Sequence, residues 1–179
     1  MRLLVAALVF GVLAGSSLYA QYVISAHSGV VQYVEGKAYL NDALVEPKFG
    51  KFLEIGETQE LRTEEGRTEI LLTPGVFLRM SQNSSVRMVS TRLTDTRVEI
   101  LTGSAMVERD DAPKDNSVML LYKGTTMLLV KHGLYRLDAD QARFQVYDGE
   151  SIVKNESGQL TLKSGKRTAL AGRVDRGKL

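Results

Sequence analysis

The stretch Glu64–Asn83 constrains the fold of this chain more than any other. Two apolar runs, residues 69–72 and 76–80, flank the dipeptide Pro74-Gly75. Proline fixes φ near −65° and glycine accepts a positive φ, so the dipeptide suits the two central positions of a type II turn. The pattern predicts a β-hairpin.

The hairpin pattern recurs later in the chain. A second glycine pair, Gly124 and Gly133, repeats the nine-residue spacing of Gly66 and Gly75. The recurrence predicts a second hairpin that turns at residues 131–133. Its predicted strands are residues 126–130 and 134–137.

A second repeat is centred on single glycines. Residues 98–109 align with residues 144–155, so that Gly103 falls on Gly149, and a weaker copy surrounds Gly36. Each copy predicts two strands on either side of its glycine. The predicted strand pairs are 97–102 with 105–109, 143–147 with 151–154, and two short strands around Glu35-Gly36. Since the spacing between copies is irregular, a regular solenoid is not favoured.

Short apolar runs with a turn signal about every 8–12 residues are typical of an all-β domain. We therefore predict a twisted stacked-sheet or short β-solenoid-like domain with internal repeats of strand pairs and hairpins. The other predicted strands lie near residues 51–55, 60–63, 86–89, 119–122, 160–162 and 167–170. The polar run 110–116 predicts a mobile surface loop, and a helical period is absent after residue 20 except for a turn near 138–142.

The N-terminus has the features of a secretory signal. Met1-Arg2 is followed by an apolar stretch at 3–14 and by small residues up to Ala20. This apolar stretch is short for a membrane span, which needs about 20 residues, so cleavage near Ala20 is predicted rather than retention as an anchor. The lipoprotein pattern fails, because Ser16 stands where cysteine is required.

Composition limits the possible functions. The 179 residues carry a formal net charge of only +2, which gives no reason to expect nucleic acid as a partner. Cysteine is absent, so the chain has neither a disulfide nor a cysteine nucleophile nor a thiolate metal site. Tryptophan is absent as well, and aromatic residues make up 7% of the chain, which disfavours a sugar- or base-stacking platform.

The glycine and apolar spacing over residues 29–107 resembles the FecR-type periplasmic domain, a family named for regulators of iron-citrate uptake. The residues that carry the resemblance are Gly56, Glu57, Leu61, Thr63, Gly66, Arg67, Ile70, Leu72, Gly75, Leu78, Arg79, Ser84, Val86, Val98, Leu101, Gly103, Ala105 and Val107. Pro74 departs from the pattern, which usually has Asp or a similar turn residue before the glycine. On this resemblance the domains are a signal peptide (1–20), a FecR-like all-β domain (21–172) and a basic tail (173–179).

The resemblance implies a stand-alone secreted version of the family. Regulators of this type combine a cytoplasmic anti-sigma segment, one transmembrane helix and a periplasmic domain that contacts an outer-membrane receptor. The segment that precedes the domain here is only a signal, so the signalling role does not transfer directly. The family supplies no catalytic residues.

No residue pattern identifies a catalytic, cofactor or metal site, and we expect the protein not to be an enzyme. His27 and His132 have unrelated contexts, and the hairpin alignment makes His132 a turn residue in the place of Pro74. The acid pairs Asp110/Asp111 and Asp138/Asp140 offer oxygen ligands for calcium, but neither has the spacing of a calcium loop, and we interpret them as solvated loop charges. We interpret the pairs Glu64/Glu65 and Glu54/Glu57 as turn and surface charges and not as a hydrolytic pair.

Two surfaces remain as candidates for binding. Exposed strand edges could add a partner strand, and we take Val118–Leu121 as one such edge. The basic C-terminal residues could hold the protein near anionic polymer or lipid, or they could form a solvated tail. These residues are Lys163, Lys166, Arg167, Arg173, Arg176 and Lys178.

The sequence therefore predicts a periplasmic or secreted, non-enzymatic binding or scaffold domain of the bacterial cell envelope. Its partner would be an envelope protein or a cell-wall polymer, with no nucleic acid, no cofactor and no integral membrane span after signal removal. The alternative is a regulatory module that senses an outer-membrane receptor and acts through a separate membrane partner.

Overall fold

The structure, a computed structural model, describes residues 28–46, 52–110, 113–171 and 177–178. Regular structure within these ranges is entirely β, which confirms the predicted all-β class. No helix in this part of the chain is long and apolar enough to cross a membrane. The strands are β1 (Val30–Leu40), β2 (Ala43–Leu44), β3 (Leu53–Glu54), β4 (Glu60–Thr73), β5 (Val76–Met80), β6 (Ser85–Arg92), β7 (Asp95–Thr102), β8 (Ser104–Arg109), β9 (Val118–Tyr122), β10 (Thr125–Leu129), β11 (Gly133–Asp138), β12 (Arg143–Val146), β13 (Glu150–Asn155), β14 (Gly158–Lys163), β15 (Lys166–Ala169) and β16 (Gly177–Lys178).

Hydrogen bonding joins the strands into one sheet that divides into two halves. The order is β14-β13-β10-β9-β7-β6-β4-β5-β8-β11-β12-β15-β16, and β1 pairs with β4 and with the short β2 and β3. We name β6, β7, β9, β10, β13 and β14 half A. We name β5, β8, β11, β12, β15 and β16 half B. Strand β4 belongs to both halves, because its start pairs with β6 and its end pairs with β5.

Both halves contribute to a single hydrophobic core. Alternate residues of most strands point inward, so that in β9 the side chains of Val118 and Leu120 are buried while Met119 is only half-buried. In half B the same alternation buries Val107 and Phe144 in the same cluster. The two halves therefore face each other across one core.

A glycine pair bends the two longest strands. Gly36 of β1 lies opposite Gly66 of β4, and both have positive φ, 77° and 108°. A Cβ on either glycine would overlap the backbone carbonyl of the residue that precedes the other, Glu65 or Glu35. The prediction of two short strands around Glu35-Gly36 was wrong, because β1 is one strand that bends at this point.

Gly103 carries the chain from one half of the sheet to the other. Strand β7 pairs with β6 and β9 in half A, whereas β8 pairs with β5 and β11 in half B. The predicted pair 97–102 with 105–109 was therefore wrong. One residue between two strands cannot supply the two central positions of a tight hairpin turn, so the chain passes on instead of returning.

Four further connections cross between the halves after β8 begins. They join β8 to β9, β10 to β11, β12 to β13 and β14 to β15. The predicted pairs 126–130 with 134–137 and 143–147 with 151–154 were wrong, because each partner lies in a different half. Gly149 lies so close to the hydroxyl of Tyr135 and the carbonyl of His132 that a Cβ would overlap both. Because glycine has no side chain, these crossings can contact each other at this point.

The nine-residue glycine spacing has a different meaning in each copy. In the first copy Gly66 lies at a bend and Gly75 lies in the β4–β5 hairpin turn. In the second copy Gly124 lies in the β9–β10 hairpin turn and Gly133 follows a crossing. In the first copy the hairpin turn is at the second glycine, and in the second copy it is at the first glycine. The second hairpin predicted at 131–133 does not form.

Several local predictions are confirmed. The β4–β5 hairpin forms with Thr73 opposite Val76, and Gly75 has φ 77°, as a type II turn requires. The predicted strands near 151–154 and 160–162 form as β13 and β14, which pair with each other. The prediction that Val118–Leu121 is a strand edge was wrong, since β9 lies between β7 and β10.

Some predictions fall outside the described residues. These are the signal peptide at 1–20, His27, Lys51, Asp111, Arg173 and Arg176.

Tyr135 connects the two halves through its hydroxyl. The side chain is fully buried in half B, donates a hydrogen bond to the carbonyl of Lys131 at 2.6 Å and accepts one from the backbone N–H of Glu150 at 3.2 Å. Its ring is parallel to that of Phe144, with centroids 6.3 Å apart. Burial raises the pKa of the Tyr135 phenol above its ordinary value of 10.

We expect Tyr135→Phe to lower the free energy of unfolding by about 1–2 kcal/mol at pH 7, because the backbone groups lose their hydroxyl partner. A raised folded-state pKa means that the wild type has the full contribution below pH 10 and loses it as the pH rises further. The difference between wild type and variant should therefore shrink above pH 10. Urea unfolding at pH 7 and pH 11 measures both values.

Tyr147→Phe is the matched control, because Tyr147 is 42% exposed and its hydroxyl contacts only Gln145 among the described residues. It should change stability by less than about 0.5 kcal/mol at either pH. A Tyr135→Phe difference that stays constant or grows at alkaline pH would contradict the assignment.

Candidate functional site: an arginine-lined groove

A row of polar side chains crosses the outer face of half B. The row runs across half B and continues over the neighbouring strands β4 and β1. Each strand in it pairs in register with the next, so one outward residue from each lies in the same row. These strands are β1, β4, β5, β8, β11, β12 and β15. The row consists of Tyr33, Glu69, Arg79, Met106, Arg136, Gln145 and Arg167. Arginines therefore accumulate on this face from parts of the sequence that are far apart.

A groove of about 350 Å³ lies beside this row. Three of its ten lining residues are arginines and none is acidic. Its lining residues are Gly66, Arg67, Arg79, Met80, Ser81, Gln82, Ser104, Ala105, Met106 and Arg136. The volume is at the small end of the range for ligand pockets, which is about 300–1,000 Å³.

The bends of the sheet create the groove. Strand β4 changes direction at Gly66, and the chain leaves half B after Met80 and enters it again at Ser104, just after Gly103. Ser81 pairs with Ser104 across this point, through a backbone hydrogen bond of 3.2 Å. The groove is thus formed by the crossing segments, where a flat sheet would have continued.

Two of the groove arginines are already paired with carboxylates. Arg79 donates from Nε to Glu69 at 2.7 Å and from Nη1 to Glu108 at 2.6 Å, and Arg67 donates from Nε to Glu35 at 2.8 Å. The hydrogen bond to Glu108, followed by that to Glu69, raises the pKa of Arg79 above its ordinary value. These pairs line up the guanidinium groups at the rim of the groove.

Arg136 is held more loosely. Its contacts within the described part of the chain both involve Nη2, which lies 3.3 Å from Ser104 Oγ and 3.5 Å from Asp138 Oδ2. Charge-assisted hydrogen bonds are usually about 2.7–2.9 Å long. The side chain is 38% exposed, so its guanidinium can be reached from the groove.

Serine hydroxyls form the polar end of the groove. Ser81 Oγ lies 3.0 Å from Ser84 Oγ and 2.9 Å from Ser104 Oγ, and Ser84 Oγ accepts a hydrogen bond from the backbone N–H of Ser104 at 3.0 Å. A hydroxyl can reorient to donate or to accept. This cluster can therefore adapt to an anion placed next to Arg136.

Half A contains a close counterpart of the Arg79 cluster that does not line this groove. Arg87 lies between Glu60, at 3.7 Å, and Glu99, at 3.4 Å. The Arg87 side chain is 42% exposed and that of Arg79 is 43% exposed. Arg87 is thus a matched control for the effects of an outward arginine between two glutamates.

The acids and histidine considered from sequence have separate positions. His132 is exposed in the bend before Gly133, at a crossing instead of in the tight turn that its alignment with Pro74 had predicted. Asp140 accepts a hydrogen bond from the N–H of Gly103, and Asp138 accepts one from the N–H of Gln141, each at 3.0 Å. Within the described ranges, no three His, Asp or Glu side chains are grouped as a metal site.

The other predicted charges support local structure. Glu64 pairs with Arg62 at 3.0 Å, and Glu57 accepts a hydrogen bond from the N–H of Thr91 at 3.1 Å. Glu54 is a strand residue of β3. In the basic C-terminal group, Lys163 lies 4.0 Å from Glu150, and Lys166 and Lys178 are paired residues of β15 and β16. The described part of this group forms sheet structure.

The all-β fold, in which the chain passes repeatedly between two halves of one sheet, resembles other solved structures over part of its length. Two crystal structures described as a "putative anti-sigma factor" from Parabacteroides distasonis ATCC 8503 resemble it with a TM-score of 0.55, at 15% and 14% sequence identity. In each case the match covers 66% of this chain and 59% of that chain, and at this identity it shows a shared fold. No protein-family model and no curated protein matches the sequence.

Proposed function

We propose that this protein is an exported, non-enzymatic binding or scaffold domain of the cell envelope that engages a protein or a cell-wall polymer through the outer face of half B. The arginine-lined groove is the observation that carries the proposal. Its lining residues contain no group that titrates near neutral pH and could transfer a proton, so binding is the chemistry that it suits. Export and a periplasmic or secreted location rest on the signal-like residues 1–20.

A regulatory role is the second candidate. Membership of the FecR-type family, proposed from the glycine spacing, and the fold shared with the Parabacteroides protein both favour a module that passes a state to a separate membrane partner. In a regulator, Arg136→Gln should change the transcription of a defined set of genes, whereas in a scaffold it should change only what the domain holds. Transcript profiling of wild-type and variant strains separates the two.

Photo-cross-linking in intact cells tests the binding function. Benzoylphenylalanine in place of exposed Gln82 lies in the groove, and the same replacement at exposed Gln159 of β14 lies in half A. We expect a defined adduct from position 82 and not from position 159, and we expect Arg136→Gln to reduce it several-fold. Mass spectrometry then identifies the attached protein or polymer.

Arg87→Gln is the control for removal of a surface arginine, because the Arg87 side chain is 42% exposed and that of Arg136 is 38% exposed, and it should leave the adduct at position 82 unchanged. The proposal fails if position 82 gives no adduct. It also fails if both positions give the same adducts, or if Arg87→Gln reduces the adduct as much as Arg136→Gln does.

A further inference from the structure

From the groove we infer its ligand: a single carboxylate on a short aliphatic stem, such as the C-terminus of a short peptide, held by the guanidinium of Arg136. This inference rests on the proposed binding function and adds the chemistry that the groove recognises. Arg136, Ser104, Ser81 and Met106 carry it.

The charge of the groove favours a monoanion. Arg79 and Arg67 hold intramolecular carboxylates at 2.6–2.8 Å, so their charges are largely compensated. Among the described groove arginines, only Arg136 lacks a carboxylate within 3 Å, and its ion pair with Asp138 is long, at 3.5 Å. One available guanidinium suits one negative charge, since the fork of N–H donors matches the two oxygens of a carboxylate.

The groove floor favours an aliphatic stem next to that carboxylate. The half-buried Met106 lies in the same row as Arg79 and Arg136, and Met80 and Ala105, which are buried in the hydrophobic core, also line the groove. Methionine adapts its shape to irregular apolar partners. The apolar surface of Met106 beside Arg136 therefore places a methyl or methylene group next to a carboxylate held by that arginine.

The serine hydroxyls complete the recognition. Ser104 Oγ already lies 3.3 Å from Arg136 Nη2, and Ser81 Oγ lies 2.9 Å from Ser104 Oγ. A carboxylate placed next to the guanidinium and these hydroxyls would accept hydrogen bonds from both. The C-terminal amide of the same peptide is neutral and offers the guanidinium one acceptor oxygen where the carboxylate offers two, so the groove should discriminate against it.

Methionine-methyl NMR on the full protein provides the test. Three probes are titrated: N-acetyl-Ala-Ala with a free carboxylate, its C-terminal amide, and dimethyl phosphate. We expect the free acid to shift the methyl signals of Met80 and Met106 saturably. Met119, which points outward from half A, and Met127, which is buried in half A, should not move. The amide should bind at least about tenfold more weakly.

Two variants complete the experiment. Arg136→Gln should weaken binding of the acid by between about tenfold and a hundredfold, the range for loss of hydrogen bonds to a charged group, and Arg87→Gln should leave it unchanged. Equal binding of the amide or equal loss in both variants would overturn the inference. So would tighter binding of dimethyl phosphate, which would assign the groove to phosphodiesters, or shifts of the same size at all methionines.

The ligand class and the binding function can fail separately. If Gln82 cross-links a partner in an Arg136-dependent way while the acid probe does not bind, the carboxylate is wrong and the binding function remains. If cross-linking at position 82 also fails, the binding function itself is wrong.

Discussion

Gly66→Ala should prevent the domain from folding. The added Cβ would overlap the backbone carbonyl oxygen of Glu35 on β1, and backbone cannot move aside as the end of a flexible side chain can. The φ of Gly66 is also +108°, which L-residues rarely adopt. We expect a loss of about 4 kcal/mol or more, a large part of the 5–15 kcal/mol of a typical domain. Soluble yield and thermal unfolding by circular dichroism measure it.

Gly124→Ala separates the steric effect from the backbone strain. Gly124 also has a positive φ of 80°, but no atom lies within 4 Å of a Cβ built on it. This variant should fold and lose only about 1 kcal/mol. If both variants lose the same amount, the close approach of β1 and β4 at the Gly36/Gly66 pair contributes nothing special to stability.

Arg109→Met should have the second largest effect. Arg109 ends β8, is only 9% exposed, and donates from Nη1 to the carbonyl of Leu129 at 3.0 Å and from Nη2 to that of Asn116 at 3.2 Å. It thereby joins half B to the end of β10 in half A. Methionine fills much of the volume but leaves both carbonyls without these donors, so we expect a loss of about 2–4 kcal/mol. The midpoint of urea unfolding reports the change.

Two comparisons make the Arg109 result specific. Arg109→Lys keeps the charge but loses the fork that reaches both carbonyls, and it should lie between wild type and Arg109→Met. Arg92→Met removes an arginine whose side chain is 72% exposed and should cost less than about 1 kcal/mol. If Arg109→Met is no more harmful than Arg92→Met, the two carbonyl contacts do not connect the halves.

Local chemistry explains why strands and tight turns were predictable. The Pro74-Gly75 pair has the dihedral preferences of its turn, and alternating apolar residues such as Val118 and Leu120 have the two-residue period of a strand buried on one face. The pairing partners were not predictable in the same way. Three residues between β10 and β11 suit a hairpin as well as a crossing, and only the core behind them decides which forms.

The crossing at Gly103 had no such signal in the sequence. The predicted strands 97–102 and 105–109 leave Gly103-Ser104 between them, which suits a two-residue hairpin turn, whereas β8 begins at Ser104 and leaves only Gly103. The groove had no signal either. Arg79 and Arg136 are 57 positions apart, and they share a surface only because β5, β8 and β11 are neighbours in half B. Arg79 belongs to the glycine and apolar pattern of the FecR-type resemblance, whereas no pattern in the sequence singles out Arg136.

The direct connection of β14 to β15 has a consequence for a proteolytically cut form of the protein. Strand β14 ends half A and β15 continues half B, yet the two are consecutive and only Ser164-Gly165 joins them. A chain cut by a protease near Ser157 would lose both at once and uncover β13 on one side and β12 on the other. Unpaired strands invite pairing with other molecules, so a single nick would turn a self-contained domain into a bivalent seed for aggregation.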